Sequence, residues 1–181
     1  MTFEVEVKAR VGDPDALRVR LRECGEYRGF FEKEDLYFSR QGENNTLFRI
    51  RREPEGNTVT YKEKNVDSAG VEKNREHQFE VDDYLEFVKF AGYLGYVGYC
   101  EKQKKGELFL YRGANVELTL VKNLGWYIEI ECLVERNEDV EPARNNVLGI
   151  LADLGIPASS VEPRYYTDML MEPAEAPGSE E

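Results

Sequence analysis

The sequence predicts an α+β domain: an eight-stranded antiparallel β-barrel, closed on itself, with helices packed outside it. Three observations carry that prediction. Stretches of strict apolar–polar alternation recur along the chain, short polar turns of hairpin length separate most of them, and only three helical stretches interrupt the series. The first stretch, Phe3-Glu4-Val5-Glu6-Val7-Lys8, sets the pattern. Successive side chains of a strand leave opposite faces, so Phe3, Val5 and Val7 point one way and Glu4, Glu6 and Lys8 the other.

After that strand, Asp13-Pro14 reads as a helix N-cap followed by proline at the first helical position, and the helix runs to about Cys24 before Gly25. Leu17, Leu21 and Cys24 form its apolar stripe. Phe30 to Phe38 is the second strand, and Arg40 to Thr46 a turn. Leu47–Arg52 and Val59–Lys64 pair as a hairpin across Pro54 to Asn57. Asn65 to Asn74 reads as a polar loop, Arg75–Val81 as a strand, and Asp82 or Asp83 as the cap of a helix reaching about Leu94. Strands follow at Tyr99–Lys105, Leu108–Arg112, Ala114–Lys122 and Trp126–Val134. Val140 to Leu154 is a third helix, ended by Gly155 and Pro157, and Tyr165 to Leu170 a short closing element. Residues 1–170 make one domain. Residues 171–181, rich in Pro, Glu, Ala and Gly, read as a disordered acidic tail. Eight strands suffice to close a barrel.

Composition narrows the function. The 181 residues carry a formal net charge of −12, which argues against nucleic-acid binding, whose affinity rests on Lys and Arg neutralising phosphates. No apolar run approaches the ~20 residues that span a bilayer, and the chain opens directly on a charged strand, so no membrane partner and a cytoplasmic address are expected. Cys24, Cys100 and Cys132 have no metal-ligand spacing, and His77 is the one histidine. Chemistry must therefore use carboxylates, lysines, arginines or tyrosines. A homodimer stands as an open partner state.

The alternate residues of each strand supply that chemistry. The first strand contributes Glu4, Glu6 and Lys8, and the next hairpin Arg49 and Arg51 with Thr60, Lys62 and Lys64. Later strands add Glu76, Gln78 and Glu80, then Lys102 and Lys104, Glu117 and Thr119, and Glu129 and Glu131. If the apolar faces meet the helices, these faces meet one another inside the barrel. Two carboxylates 4 Å apart repel by about 4 kcal/mol at an effective dielectric of 20, so the acids gathered there call for cations. Hard oxygen ligands favour Mg²⁺ or Mn²⁺, and the excess lysines and arginines suit a phosphate chain. Together they describe a metal–polyphosphate site.

Glu4-x-Glu6-x-Lys8 at the start of the chain resembles the signature of the CYTH superfamily, the triphosphate tunnel metalloenzymes. Asp35-Leu36-Tyr37-Phe38, Phe48-Arg49-Ile50-Arg51, Thr60-Tyr61-Lys62, Lys102-x-Lys104 and Leu124-Gly125-Trp126-Tyr127-Ile128-Glu129-Ile130-Glu131 follow in that family's order, and Tyr166-Thr167-Asp168-Met169-Leu170 resembles its closing segment. The resemblance implies a triphosphate tunnel with one or two divalent ions. Glu4, Glu6, Glu117, Glu129 and Glu131 would serve metal, Glu4, Glu6 and Lys62 catalysis, and Lys8, Arg49, Arg51, Lys62, Lys64, Lys102 and Lys104 the phosphates. Thr119 stands where relatives often have Asp, with Glu117 two residues away on the same face, and Gln78 stands where Glu is favoured. Both changes remove negative charge and predict a weakened second metal. Lys104 stands where many relatives have Arg. The expected activity is hydrolysis of an inorganic, nucleoside or thiamine triphosphate. Class IV adenylate cyclase is the alternative, with Tyr61, Tyr127 or Phe38 available to stack on a base, and a noncatalytic polyphosphate- or nucleotide-binding module the second alternative.

Overall fold

The computed structural model describes residues 2–43 and 45–172. Eight strands close into an antiparallel barrel: β1 (Phe3–Arg10), β2 (Glu26–Arg40), β3 (Phe48–Glu53), β4 (Gly56–Glu63), β5 (Val71–Val81), β6 (Tyr96–Tyr111), β7 (Ala114–Val121) and β8 (Gly125–Val134). Around the barrel their order is β1-β5-β4-β3-β2-β6-β7-β8. β1 closes the ring, pairing with β5 on one side and β8 on the other. Helices α1 (Pro14–Cys24), α2 (Tyr84–Tyr93), α3 (Val140–Asp153) and α4 (Tyr166–Met171) complete the fold.

The alternation works as expected. Val5 and Val7 of β1, Val116 and Leu118 of β7, and Ile128 and Ile130 of β8 leave the barrel outward, fully buried against Leu21 of α1 and Val147, Ile150 and Leu151 of α3. A second cluster places Phe38, Ile50 and Val59 from β2–β4 against Ala91, Phe87 and Val88 of α2. Burying each such large side chain contributes about 1.5–3 kcal/mol, which is the force holding the helices outside the barrel. The caps stand where the sequence indicated: Asp13 accepts from the Ala16 amide at 3.0 Å and Asp83 from the Glu86 amide at 3.0 Å. Cys24 is exposed rather than part of the α1 stripe, which Leu17 and Leu21 form alone.

Several boundaries differ from the sequence reading: β4 starts at Gly56, inside the expected turn, and ends at Glu63. β2 spans Glu26–Arg40, starting well before Phe30. β5 begins at Val71, so Glu72 and Asn74 belong to a strand and not a loop. The stretches read as two strands around Gly106 are one 16-residue strand, β6. Gly106 faces Thr119 of β7, and a Cβ there would run into the Leu118 carbonyl oxygen. The glycine marks a close approach of two backbones rather than a turn.

One end of the barrel is covered by α4. Tyr166 and Met169 pack with Val121, Tyr127 and Leu124, and the Tyr127 and Tyr166 rings meet edge to face at 5.0 Å. Of the expected tail, Met171 completes α4 and Glu172 pairs with Arg164 at 3.0 Å, while residues 173–181 lie outside the described residues. No helix among the described residues is long and apolar enough to cross a membrane.

Candidate active site

The inward faces of all eight strands build a charged cavity of about 120 Å³. The twelve residues to which the resemblance gives a metal, catalytic or phosphate role all line it: Glu4, Glu6, Lys8, Arg49, Arg51, Lys62, Lys64, Lys102, Lys104, Glu117, Glu129 and Glu131; Glu76, Gln78, Glu80 and Thr119 do not. Strand register decides which meet, because in-register neighbours on adjacent strands bring their Cβ atoms to ~5 Å.

Three carboxylates form a row across β5, β1 and β8, where Glu6 faces Glu72 on one side and Glu131 on the other. Lys8 Nζ reaches Glu72 Oε1 at 2.6 Å, and Asn74 Nδ2 donates to both Glu72 and Glu4 at 3.0 Å. Burial, with Glu4, Glu72 and Glu129 nearby, pushes the Glu6 carboxyl well above its usual range. Burial and Glu4 push Glu131 up to about 7. These two are the under-neutralised acids of the tunnel.

Beside that row, Glu4 accepts from Lys62 at 2.6 Å, and Lys62 reaches Glu76 at 2.5 Å. Burial opposes the charged form of Glu4, but Lys62 outweighs it and holds the carboxyl below its usual range. Glu129 accepts from Lys104 at 2.7 Å and from the Tyr166 hydroxyl at 3.0 Å. Glu117 takes Lys104 at 2.6 Å and Lys33 at 2.7 Å. Despite burial, those two ammonium groups drive its carboxyl far down.

Across the tunnel, Asp35 is buried between Arg51 on β3 and Lys102 on β6, its register neighbours. Arg51 donates Nε and Nη2 to the two carboxylate oxygens at 2.6 and 2.9 Å, Lys102 stands at 3.0 Å and Arg49 at 3.5 Å. Burial raises the cost of charge on Asp35, yet the three cations hold it well below the usual carboxylate range. Arg49 Nε is buried without a hydrogen-bond partner, an orphan donor of the kind an incoming anion would satisfy. Near α4, Lys64 Nζ lies 4.0 Å from the centre of the Tyr165 ring.

The sequence reading missed Lys33, Asp35, Glu72, Asn74 and Tyr166. Asp35 and Tyr166 lay in quoted motifs but carried no role there. Lys33 shares the alternation of Asp35 and Tyr37 and was legible from it. Glu72 and Asn74 sat inside the supposed loop. Gln78 and Glu80 are exposed, so Gln78, which donates to Glu76 at 2.7 Å, takes no charge from the cavity wall. Thr119 is fully buried, and its hydroxyl meets the Lys105 carbonyl at 3.4 Å. The aromatics suggested for base stacking are otherwise engaged: Phe38 stacks on Phe48, Tyr127 packs on Tyr166, and Tyr61 stacks on His77 at 4.4 Å.

Among the described residues, no three acids, histidines or cysteines converge on one point as a ready metal cluster. The donor set nonetheless fits a hard divalent ion. Glu6 and Glu131 face each other, both acidic and both without a paired cation, and an ion such as Mg²⁺ takes one or two carboxylates with phosphate oxygens and water filling the rest.

Comparison with known proteins follows the same lines. The model of the CYTH domain matches residues 2–166. No curated protein matches the sequence. Among solved structures, the PH1819 protein of Pyrococcus horikoshii is 27% identical with a TM-score of 0.79, covering 93% of this chain and 98% of its own. A candidate adenylate cyclase from Vibrio parahaemolyticus is 16% identical with a TM-score of 0.77, covering 93% and 97%. HpAC1 of Hippeastrum, described as having a dominant triphosphatase activity, is 17% identical with a TM-score of 0.64, covering 91% of each chain.

Proposed function

The chain belongs to the CYTH domain family, and from that premise we propose that it is a Mg²⁺- or Mn²⁺-dependent triphosphatase, acting in the cytoplasm on a small-molecule triphosphate held inside the barrel. The observation that carries the reading is the division of the cavity wall. Apart from Lys8 and Lys64, the cations lining the cavity come from the neighbouring strands β4, β3, β2 and β6, with Arg49 offering an orphan donor, while Glu6 and Glu131 on β1 and β8 stand opposite without a paired cation.

Phosphoryl transfer asks a protein mainly for positioning and charge neutralisation. Arg49, Arg51, Lys62, Lys102 and Lys104 would take phosphate oxygens, and Lys8 and Lys64 those nearer α4. Glu6 and Glu131 would hold the divalent ion, flanked by Glu4, Glu117 and Glu129. The ion supplies Lewis-acid neutralisation of the phosphate charge. Glu4 is kept ionised by Lys62, so it is suited to orient an attacking water by accepting its hydrogen bond. Lys62, already bridging Glu4 and Glu76, would link that water to the phosphate. The test is incubation with Mg²⁺ or Mn²⁺ and, separately, tripolyphosphate, ATP and thiamine triphosphate. Release of orthophosphate is the expected result. Cyclic AMP and pyrophosphate from ATP would move the reading to adenylate cyclase, and tight binding without turnover to a binding module.

A further inference from the structure

Lys33 and Lys104 face each other in register across β2 and β6, and both side chains point into the cavity. Like charges placed directly opposite on neighbouring strands repel, so the arrangement needs an anion between them. In the free protein that anion is Glu117, which gives one carboxylate oxygen to each ammonium: Oε1 to Lys33 at 2.7 Å and Oε2 to Lys104 at 2.6 Å. Beneath both ammonium groups lies the ring of Phe31, with its centre 4.6 Å from Lys33 Nζ and 5.7 Å from Lys104 Nζ. The ring fixes the two cations side by side without supplying a hydrogen bond of its own. Two oxygens of one carboxylate bridging two ammonium groups is also how two oxygens of one phosphoryl group would sit.

We propose that Lys33 and Lys104 form an anion clamp that Glu117 fills when the tunnel is empty and that a phosphoryl group of the substrate takes over when it is loaded. The proposal rests on the triphosphate reading of the tunnel and adds Lys33 and Glu117 to it with defined roles. Lys33 is a phosphate-binding residue. Glu117 is a resident competitor of the substrate rather than a metal ligand, since both its oxygens are already committed to lysines. Hydrogen bonds between charged partners are the strong kind, so exchanging a carboxylate for a phosphoryl group keeps both contacts.

Calorimetric titration of the full chain with tripolyphosphate, in EDTA to remove divalent ions, tests the clamp. Lys33→Met should weaken binding by about tenfold or more, and Lys33→Arg should restore it to within about threefold. Glu117→Gln should bind more tightly than the unmodified protein, because the competitor's charge is gone. The double variant Lys33→Met with Glu117→Gln restores charge balance and serves as the control for folding. It should still bind weakly. If the double variant recovers full affinity, Lys33 only neutralises Glu117 and the clamp is wrong. Equal affinity of Lys33→Met and the unmodified protein overturns it as well. Failure of the unmodified protein to bind in EDTA, with turnover under Mg²⁺ intact, overturns the clamp and leaves the enzyme reading standing. Absence of both removes the reading itself, and the clamp with it.

Discussion

Arg49 and Arg51 share the carboxylate of Asp35 unequally: Arg51 holds it by two hydrogen bonds at 2.6 and 2.9 Å, whereas Arg49 approaches only to 3.5 Å and keeps a buried Nε unpartnered. The two arginines look equivalent in sequence, two residues apart on one strand face, but they divide the labour. Arg51→Ala should cost about 3–5 kcal/mol of folding stability, the usual penalty for removing one partner of a buried ion pair. Arg49→Ala should leave stability nearly unchanged and instead weaken tripolyphosphate binding by about 1.5–3 kcal/mol, roughly 10- to 150-fold. Denaturant unfolding and calorimetry on both variants check the division, and equal losses in both would refute it.

Asp35 is the counter-ion of that arc. Asp35→Asn keeps the shape but leaves Arg51, Lys102 and Arg49 without their shared anion, so the free protein should lose several kcal/mol. Added tripolyphosphate should then raise the melting temperature of Asp35→Asn by more than that of the unmodified protein. Thermal scans with and without the anion provide the measurement, and an equal rise in the two proteins would count against this charge balance.

Glu131 and Glu6 carry the pH dependence. Both carboxyls are raised by burial and by neighbouring acids, Glu131 to about 7. A carboxyl raised above its unfolded value binds its proton more tightly in the folded state, so its contribution to stability is present at low pH and is lost as pH rises through the folded value. The metal-free protein should therefore lose stability between about pH 5 and pH 8. A divalent ion competes with those protons, so Mn²⁺ should stabilise the protein more at pH 8 than at pH 6. Glu131→Gln should flatten the slope of the metal-free protein. Melting curves across that range, with EDTA or Mn²⁺, decide the matter, and a slope unchanged in Glu131→Gln would exclude this source.

Tyr166 ties α4 to the cavity through its hydroxyl, 3.0 Å from Glu129 Oε1. Both groups are buried, and burial with Glu129 alongside pushes the phenol well above its usual range, so the hydroxyl stays a donor at any working pH. Tyr166→Phe should cost about 1.5–3 kcal/mol, the scale of a hydrogen bond to a charged acceptor. The loss should appear first as faster amide exchange in residues 166–171, before global unfolding. Unaltered exchange there would show that packing on Tyr127 and Met169 suffices.

The architecture was legible because alternation is a local property. Glu4, Glu6 and Lys8 against Phe3, Val5 and Val7 already assign an inner and an outer face, and the same arithmetic sorted Arg49 from Ile50 and Glu129 from Ile130. What escaped was whatever depends on a partner strand. Glu72 and Asn74 sit in Glu72-Lys73-Asn74-Arg75, polar on both faces, where no period of two can be read. They are strand because Glu6 and Glu4 pair with them. Gly106 carries a break signal locally, yet β7 needs its missing side chain. Gln78 shares the alternation of Glu76, but at that point the inward face has run past the cavity into solvent. Asp35 stands among Leu36, Tyr37 and Phe38 with no acid or base beside it on its own face except Lys33, and its three cations come from β3 and β6.

The closing strand has a consequence for how the chain is made. Of the eight strands β1 is made first, yet its partners are β5, where Phe3 meets Arg75, and β8, where Phe3 meets Val134. The ring cannot shut until the last strand exists, and contacts between distant residues of this kind slow folding. Through that interval the first strand waits with both backbone edges unsatisfied, the condition in which strands join those of other molecules. Glu4, Glu6 and Lys8 put a charge on every second position of the waiting strand, and such charges act as gatekeepers against aggregation. The residues proposed to hold the metal ion, the water and the phosphate in the finished barrel thus also keep the nascent chain soluble. Replacing Glu4 and Glu6 together by Thr should lower the yield of soluble protein during synthesis more than it lowers the stability of whatever folds.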